Sequence, residues 1–246
     1  MLDTHCHIDL YPNPHAIAKA VEQSGILTIA VTNLPSHFEM GLPHLRGFQQ
    51  IRPALGLHPL MAEYHQGERK KFKQTFSKTS YIGEIGLDFS KEGRDTKDIQ
   101  IESLRFVFKQ IQNRPRFVSL HSRGAESKVL ELLEEFNIQS AVFHWYSGPL
   151  TVLDQAVRAG HYFSVNPAMV RSKTGRNIID RIPLDRILTE SDGPHIQLKS
   201  QPVRPSNIKD ILEVLGDIWA VSFQEADRQV WANFMKLLIP IREQVP

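Results

Sequence analysis

The chain begins with two histidines in the pattern His-x-His. His5 and His7 flank Cys6 in the stretch DTHCHID, directly after a short apolar start. On a β-strand, residues two apart point to the same side, so the two imidazoles would share one face and Cys6 would take the other. Two imidazoles on one face can bind a metal ion; the alternative is a pair of hydrogen-bonded polar side chains. Cys6 is expected to be a small core residue and not a ligand.

Four more acids and histidines interrupt otherwise apolar segments. They are Glu84 in GEIGLDF, His121 in SLHSR, His144 in VFHWYSG and Asp192 in TESDGP. An acid or histidine buried among apolar residues costs several kcal/mol unless it is paired, hydrogen-bonded or bound to metal. Each of them alone could be an ordinary core residue, but one shared metal site would satisfy all of them together.

The apolar segments have the length and composition of buried strands. ILTIAV and AVFHW are nearly all apolar, as expected of parallel strands that are covered on both faces. Longer amphipathic segments such as GAESKVLELLEEF alternate with them and are typical of helices. Eight strands are predicted, at Leu2–His5, Leu27–Thr32, Ile51–Leu57, Tyr81–Leu87, Phe117–His121, Ala141–Trp145, Tyr162–Val165 and Ile187–Glu190.

Eight strand–helix units in 246 residues predict an α/β fold of the (β/α)8 TIM-barrel type, with residues 1–246 as one domain. The segment after residue 195 is expected to hold the closing helix or helices, of which NIKDILEVLGDIWAV is the clearest. An open doubly wound sheet is the alternative. No Gly-rich dinucleotide or P-loop motif follows a predicted strand, which argues against those sites. In a barrel, the carboxyl ends of all strands meet at one face, so the six polar residues would share one bowl.

Six nitrogen and oxygen ligands exceed the roughly three that the protein usually supplies to one catalytic zinc ion, and they suit two divalent ions. The His-x-His pair and Asp192 would bind one ion, His121 and His144 the other, and Glu84 would bridge them. Without a thiolate, the set allows zinc, manganese or magnesium, although four histidines disfavour an all-magnesium site. Asp192 is the candidate to orient the attacking water and accept its proton. Asp192 and Glu84 are therefore the candidate catalytic residues.

The composition is that of an ordinary soluble protein. Hydrophobic residues make up 41% of the chain, charged residues 23%, and the net charge is +2. This charge neither requires nor excludes a nucleic-acid partner. One cysteine fits a reducing compartment, no apolar run is long enough to span a membrane, and the candidate site begins too early to leave room for a leader. We expect a cytoplasmic protein without membrane association.

Six motifs in series resemble those of the TatD family of metal-dependent hydrolases: DTHCHID, GLHP, GEIGLDF, LHSR, FHWYSG and TESDGP, over residues 1 to about 195. The resemblance implies an amidohydrolase-like TIM barrel with a two-metal site built from the six residues above. It also implies DNase activity, commonly that of a 3′–5′ exonuclease that prefers single strands. Glu84 stands in strand four, where some other amidohydrolases carry a bridging modified lysine. SYIGEIGLDF contains no lysine, which favours the TatD branch.

Three features depart from the family pattern. The usual Arg-Asn-Glu-Pro is replaced by VRPSN, which leaves Arg204 and Asn207 without the acid, Gly124 follows HSR where an aspartate is usual, and the chain is shorter than most members. These departures affect the expected substrate range and not the metal site. The compact form with VTNLPSHF resembles the QatD-type component of a bacterial anti-phage defence system, which would make other defence proteins its partners.

Side chains near the expected bowl could bind a substrate that carries phosphates. The candidates for phosphate contacts, each of which could instead be a solvated surface group, are His58, Arg123, Arg171 and Lys173. Aromatic side chains beside the site could stack on bases or could pack under loops. These are Tyr11, Phe89, Trp145 and Tyr146.

Three functions are compatible with this sequence. The first is a phosphodiesterase that acts on DNA, the second a small-molecule amidohydrolase, and the third a metal-stabilised subunit whose partner supplies the activity. Phosphate-directed arginines favour the first over the second, and the complete ligand set disfavours the third. Short loops leave little material for a lid, which suits the end of single-stranded DNA better than a small molecule that must be enclosed.

Overall fold

Short parallel strands follow one another in chain order around a TIM barrel, as predicted. The computed structural model describes residues 1–243. Strands pair in the order β1-β2-β3 in one sheet and β4-β5-β6-β7-β8-β9 in another. They are β1 (Leu2–Cys6), β2 (Leu27–Ala30), β3 (Ile51–Pro53), β4 (Leu55–Leu57), β5 (Tyr81–Gly86), β6 (Phe117–His121), β7 (Val142–His144), β8 (Tyr162–Val165) and β9 (Ile187–Thr189).

Amphipathic helices alternate with the strands and bury one face against them. In the fourth helix, Leu104, Val107, Phe108 and Ile111 recur at helical spacing and join the strand residues in the core. The helices are α1 (Pro14–Ser24), α2 (Pro35–Gly41), α3 (His65–Thr75), α4 (Lys97–Ile111), α5 (Glu126–Glu135), α6 (Leu150–Arg158), α7 (Pro167–Arg171), α8 (Lys173–Arg181), α9 (Ile208–Trp219) and α10 (Phe223–Arg242).

The third predicted strand is two strands in the structure, because Ala54 separates β3 from β4. Thr32, just beyond the end of β2, bonds across this break. Its hydroxyl donates to the Ala54 carbonyl oxygen over 2.9 Å and accepts from the Gly56 amide over 3.2 Å. The break therefore leaves no gap in the wall, and β3 and β4 together fill the third of eight positions.

The backbone of Thr32 also reaches β5. Its amide donates to the Gly83 carbonyl over 3.2 Å, and its carbonyl accepts from the Glu84 amide over 3.1 Å. One residue thus joins the two sheets and holds the backbone of Glu84.

Strands β1 and β9 close the barrel. The Thr4 hydroxyl donates to the Thr189 carbonyl over 3.0 Å. Just beyond β9, the Asp192 amide donates to the His5 carbonyl over 2.9 Å. The two ends of the barrel sequence are therefore fastened to each other at the level of the candidate ligands.

The segment after residue 195 forms the two closing helices, α9 and α10, preceded by a small antiparallel pair, β10 (Gln197–Leu198) and β11 (Gln201–Pro202). Helix α9 covers most of NIKDILEVLGDIWAV, as predicted. Helix α10 begins at a capping box formed by Ser222 and Glu225. None of the helices in residues 1–243 combines the length and the apolar composition that a membrane span requires.

The Thr32 link predicts that Gly56 tolerates no side chain. A methyl group there would lie 1.5 Å from the Thr32 carbonyl oxygen, so β2 and β4 would have to separate. We expect Gly56→Ala to lower the free energy of unfolding by about 3 kcal/mol or more, measured by urea denaturation.

The control is Gly67→Ala, at an exposed position of helix α3, where an added methyl group meets nothing within 4 Å. This change should leave stability unchanged or raise it by up to about 1 kcal/mol. Equal free energies of unfolding for Gly56→Ala and Gly67→Ala would contradict the prediction, because they would show that the backbone around Thr32 can shift at little cost.

Candidate metal centre

The Glu84 carboxylate lies among imidazoles at the carboxyl end of the barrel. Its Oε2 is 3.4 Å from Nε2 of His5 and 3.1 Å from Nε2 of His7. Its Oε1 is 2.7 Å from Nδ1 of His121 and 2.9 Å from Nε2 of His144. Each carboxylate oxygen therefore faces one of the two histidine pairs that were predicted to bind different ions.

Asp192 lies beside the first of these pairs. Its Oδ1 is 3.8 Å from Nε2 of His5 and 3.9 Å from Nε2 of His7. The buried carboxylate of Asp3 holds the backbone here, because its Oδ1 accepts from the amides of Ser191 over 2.9 Å and His5 over 3.2 Å. The structure thus brings all six predicted ligands together.

The charges of this group are set by burial and by neighbouring imidazoles. Burial would raise the pKa of Glu84, but His58, His144 and His121 outweigh it and hold that pKa well below the usual range. Burial raises the pKa of the Asp192 carboxyl to about 7. The group therefore combines a carboxylate that stays ionised with an acid that can gain or lose a proton near neutral pH.

The donor atoms have the spacing of metal ligands. Two atoms bound about 2.1 Å from one zinc ion at a tetrahedral angle lie about 3.4 Å apart. The Nε2 atoms of His5 and His7 are 3.3 Å apart, and both lie at a similar distance from Glu84 Oε2. Nδ1 of His5 contacts the Ser119 hydroxyl over 2.7 Å, which leaves Nε2 to face the other donors. Imidazole nitrogens with carboxylate oxygens suit a divalent ion such as zinc or manganese, so these residues fit such an ion.

Two buried carboxylates lie behind the second histidine pair. Asp88 Oδ2 is 2.8 Å from Nε2 of His121, and Glu190 Oε1 is 3.5 Å from Nδ1 of His144. Carboxylates in this position orient the imidazoles that bind metals. Neither acid was predicted from the sequence, although Asp88 lies in GEIGLDF and Glu190 in TESDGP. The position of each acid inside a motif that also holds a predicted ligand could have identified both of them.

Two further histidines lie against the group. His58, predicted to contact phosphate, has Nε2 3.3 Å from Glu84 Oε2. Its Nδ1 accepts from the Leu60 amide over 3.1 Å, so in the neutral ring the proton is on Nε2. His58 is therefore a hydrogen-bond donor to the centre. His195, which was not predicted, packs its ring edge-on against that of His7, with 4.7 Å between the ring centroids.

A cavity of about 530 Å³ opens over the centre, and two of the four predicted phosphate contacts line it. His58 and Arg123 line it, and the Arg123 side chain is 59% exposed at its rim. Arg171 ends α7 and Lys173 begins α8; both are exposed, and neither is among the residues that line the cavity. The structure thus brings two of the four phosphate candidates to the site.

Most of the aromatic candidates pack under loops. Tyr11 and Tyr146 are buried, and their hydroxyls donate to the carbonyls of Val203 and Pro149. Phe89 is half-buried beneath the Lys97 ammonium. Cys6 is fully buried and belongs to the core, as predicted.

Known proteins share this sequence and this fold. The model of the TatD related DNase family matches residues 2–238. The chain is 26% identical to deoxyribonuclease TATDN3 of Homo sapiens, over 98% of this chain and 96% of that protein. The crystal structure of YjjV, a TatD homolog from Escherichia coli K12, has a TM-score of 0.86 at 26% identity and covers 96% of this chain and 97% of its own.

A TatD family hydrolase from Entamoeba histolytica has a TM-score of 0.81 at 20% identity, over 98% of both chains, which shows the shared barrel. The family match spans nearly the whole chain, and the barrel carries buried histidines and carboxylates that could bind metal. The expected family and the expectation of a hydrolytic enzyme are therefore confirmed, and this chain belongs to the TatD-related DNase family of metal-dependent hydrolases.

Proposed function

We propose that this chain is a two-metal DNase that removes nucleotides from single-stranded DNA in the 3′–5′ direction. The observation that carries the proposal is the Glu84 carboxylate, because its two oxygens face two separate histidine pairs. A carboxylate shared in this way is suited to bridge two ions, as in two-metal hydrolytic sites.

We assign the ligands as the sequence predicts. The His-x-His pair and Asp192 would hold one ion, His121 and His144 would hold the other, and Glu84 would contribute one oxygen to each. Zinc, manganese and magnesium are the candidate ions. Bound divalent ions would make water acidic enough to attack near neutral pH and would offset charge on the phosphate oxygens.

The protein's own groups supply the remaining chemistry. We assign Asp192 as the acceptor of the proton from the attacking water, because its carboxylate lies beside the His-x-His pair. The His58 Nε2–H group points into the centre, where it can donate to a phosphate oxygen. Arg123 makes a solvent-exposed contact of 3.7 Å with Glu92, which costs little to break, so the guanidinium can turn to the substrate.

The position of the centre favours an unpaired strand as substrate. Glu84 lines the cavity and is almost fully buried, whereas Arg123 lines it with an exposed side chain. A single strand can insert its end and leave the remainder outside, but a duplex must first unpair. A role in anti-phage defence, with other defence proteins as partners, stays a prediction from the VTNLPSHF stretch.

End-labelled oligonucleotides test this proposal. With manganese, magnesium or zinc, we expect nucleotide release from single strands to exceed release from the matched duplex. A chelator should abolish it, and a label at either end distinguishes the direction of cleavage. If no metal supports DNA cleavage while a small cyclic amide is opened, the chain is an amidohydrolase. Inactivity on both substrates would favour the metal-stabilised subunit.

Metal analysis tests the bridging role of Glu84. Glu84→Ala removes a donor from both ions, so the bound metal per chain should fall below that of the parent and activity should drop by at least about 100-fold. Circular dichroism should show an intact barrel, because residues at this face serve the site more than the fold.

The matched control is Glu92→Gln, which neutralises an exposed carboxylate close to Arg123 and away from Glu84. It should keep the metal content of the parent. Full metal content in Glu84→Ala would rule out a bridge.

Substitution of Asp192 tests the proton transfer. Asp192→Asn keeps the shape of the side chain but cannot accept a proton, so kcat should fall by about 100-fold or more while KM changes little. Steady-state kinetics on a single-stranded oligonucleotide measure both constants. A rise confined to KM would assign Asp192 to substrate binding instead.

A further inference from the structure

Trp145 is the large aromatic side chain that remains exposed beside the candidate metal centre. It directly follows His144 and lines the same cavity as Glu84 and Asp192. Its exposed fraction is 38%, whereas Tyr11 and Tyr146 are almost fully buried. More than a third of this indole is therefore open to water in the wall of the cavity.

The backbone of Trp145 is held in an unusual conformation. Its φ of 39° lies in the left-handed region, which a bulky residue seldom adopts. The Trp145 amide donates to Glu190 Oε1 over 3.0 Å. Residues kept in such conformations by their surroundings cluster at binding sites.

Glu190 cannot readily turn away from this contact. It is fully buried, Asn166 Nδ2 donates to its Oε1 over 3.0 Å, and the Ser164 hydroxyl donates to its Oε2. The oxygen that holds the Trp145 amide also lies 3.5 Å from Nδ1 of His144. One buried carboxylate therefore holds the backbone of Trp145 and lies beside the imidazole of a proposed ligand.

We propose that the Trp145 indole is the surface on which a nucleobase next to the cleaved phosphate stacks. This inference rests on the proposed function, because it needs a nucleic acid at the metal centre. The phosphate and base of one nucleotide are separated by a single sugar, so a phosphate over Glu84 brings its base within reach of the residue that follows His144.

The flat aromatic ring of the indole determines which part of a nucleic acid it can bind. Stacking needs the flat face of a base but no particular hydrogen-bonding edge, so it tolerates any sequence. It also needs an unpaired base, because the faces of paired bases are covered by their neighbours. Trp145 would therefore select for a base at the cleaved end and contribute to the preference for single strands.

Matched oligonucleotides that lack one base test the inference. The base is removed in turn on each side of the cleaved phosphodiester, and the sugar-phosphate chain stays intact. In the wild-type protein, base removal at one of these positions should lower kcat/KM by about tenfold. In Trp145→Ala, the same removal should change kcat/KM by less than about twofold. Trp145→Phe should keep part of the effect, because a phenyl ring still stacks.

Two results would overturn the inference while leaving the DNase proposal standing. One is an equal loss on base removal in the wild-type protein and in Trp145→Ala. The other is the absence of any loss at either position in the wild-type protein. If the wild-type protein cleaves no DNA at all, the proposed function fails, and the inference fails with it.

Fluorescence gives a readout that is independent of turnover. The chain has three tryptophans, so Trp219→Phe with Trp231→Phe leaves Trp145 as the remaining one. When this variant is mixed rapidly with zinc and DNA, the intact oligonucleotide should quench this fluorescence before cleavage, and the oligonucleotide without the critical base should not. Binding of the intact strand without quenching would contradict stacking on Trp145.

Discussion

A single ionised carboxylate, buried among imidazoles, constrains the upper part of this barrel. Removal of a charge from water costs several kcal/mol unless other groups compensate it. For Glu84 the compensation comes from five surrounding histidines, two of which rest in turn on Asp88 and Glu190. A layered polar network thus occupies one end of a barrel whose core is otherwise built mainly from apolar side chains.

The backbone departs from regular pairing directly beneath this network. Thr32 bonds across the break between β3 and β4, and its carbonyl holds the Glu84 amide. Where β1 meets β9, the His5 carbonyl accepts a hydrogen bond from the Asp192 amide. Both features fix the main chain of a candidate ligand, so the irregular parts of the wall also position the site.

The barrel and the six candidate ligands could be predicted because both depend on simple periodicities. Alternation placed His5 and His7 on one face, and the strand ends of a barrel converge. The split of the third strand was missed, although Pro53, which has no N–H for a strand ladder, lies directly before the break. The sequence also does not show that Asp88 is buried while other acids near strand ends stay in water. That difference arises only when β5 and β6 pair and bring His121 against it.

The same limit applies to the residues around the cavity. Arg171 and Lys173 were grouped with Arg123 because all of them follow strands. In the structure, Arg171 ends α7 and Lys173 begins α8, and neither lines the cavity. The exposure of Trp145, in contrast with Tyr146, depends on one left-handed backbone angle that is held by Glu190. Tertiary contacts, and not residue type, therefore determine which of these two aromatic side chains is exposed.

The closure of β1 against β9 also affects how the protein is made. The histidine pair leaves the ribosome before Asp192, which follows nearly two hundred residues later. Until the last strand docks on the first, the growing chain has an open seam and an incomplete centre. The candidate metal centre of such a hydrolase therefore lacks one of its carboxylates until the ring of strands is complete.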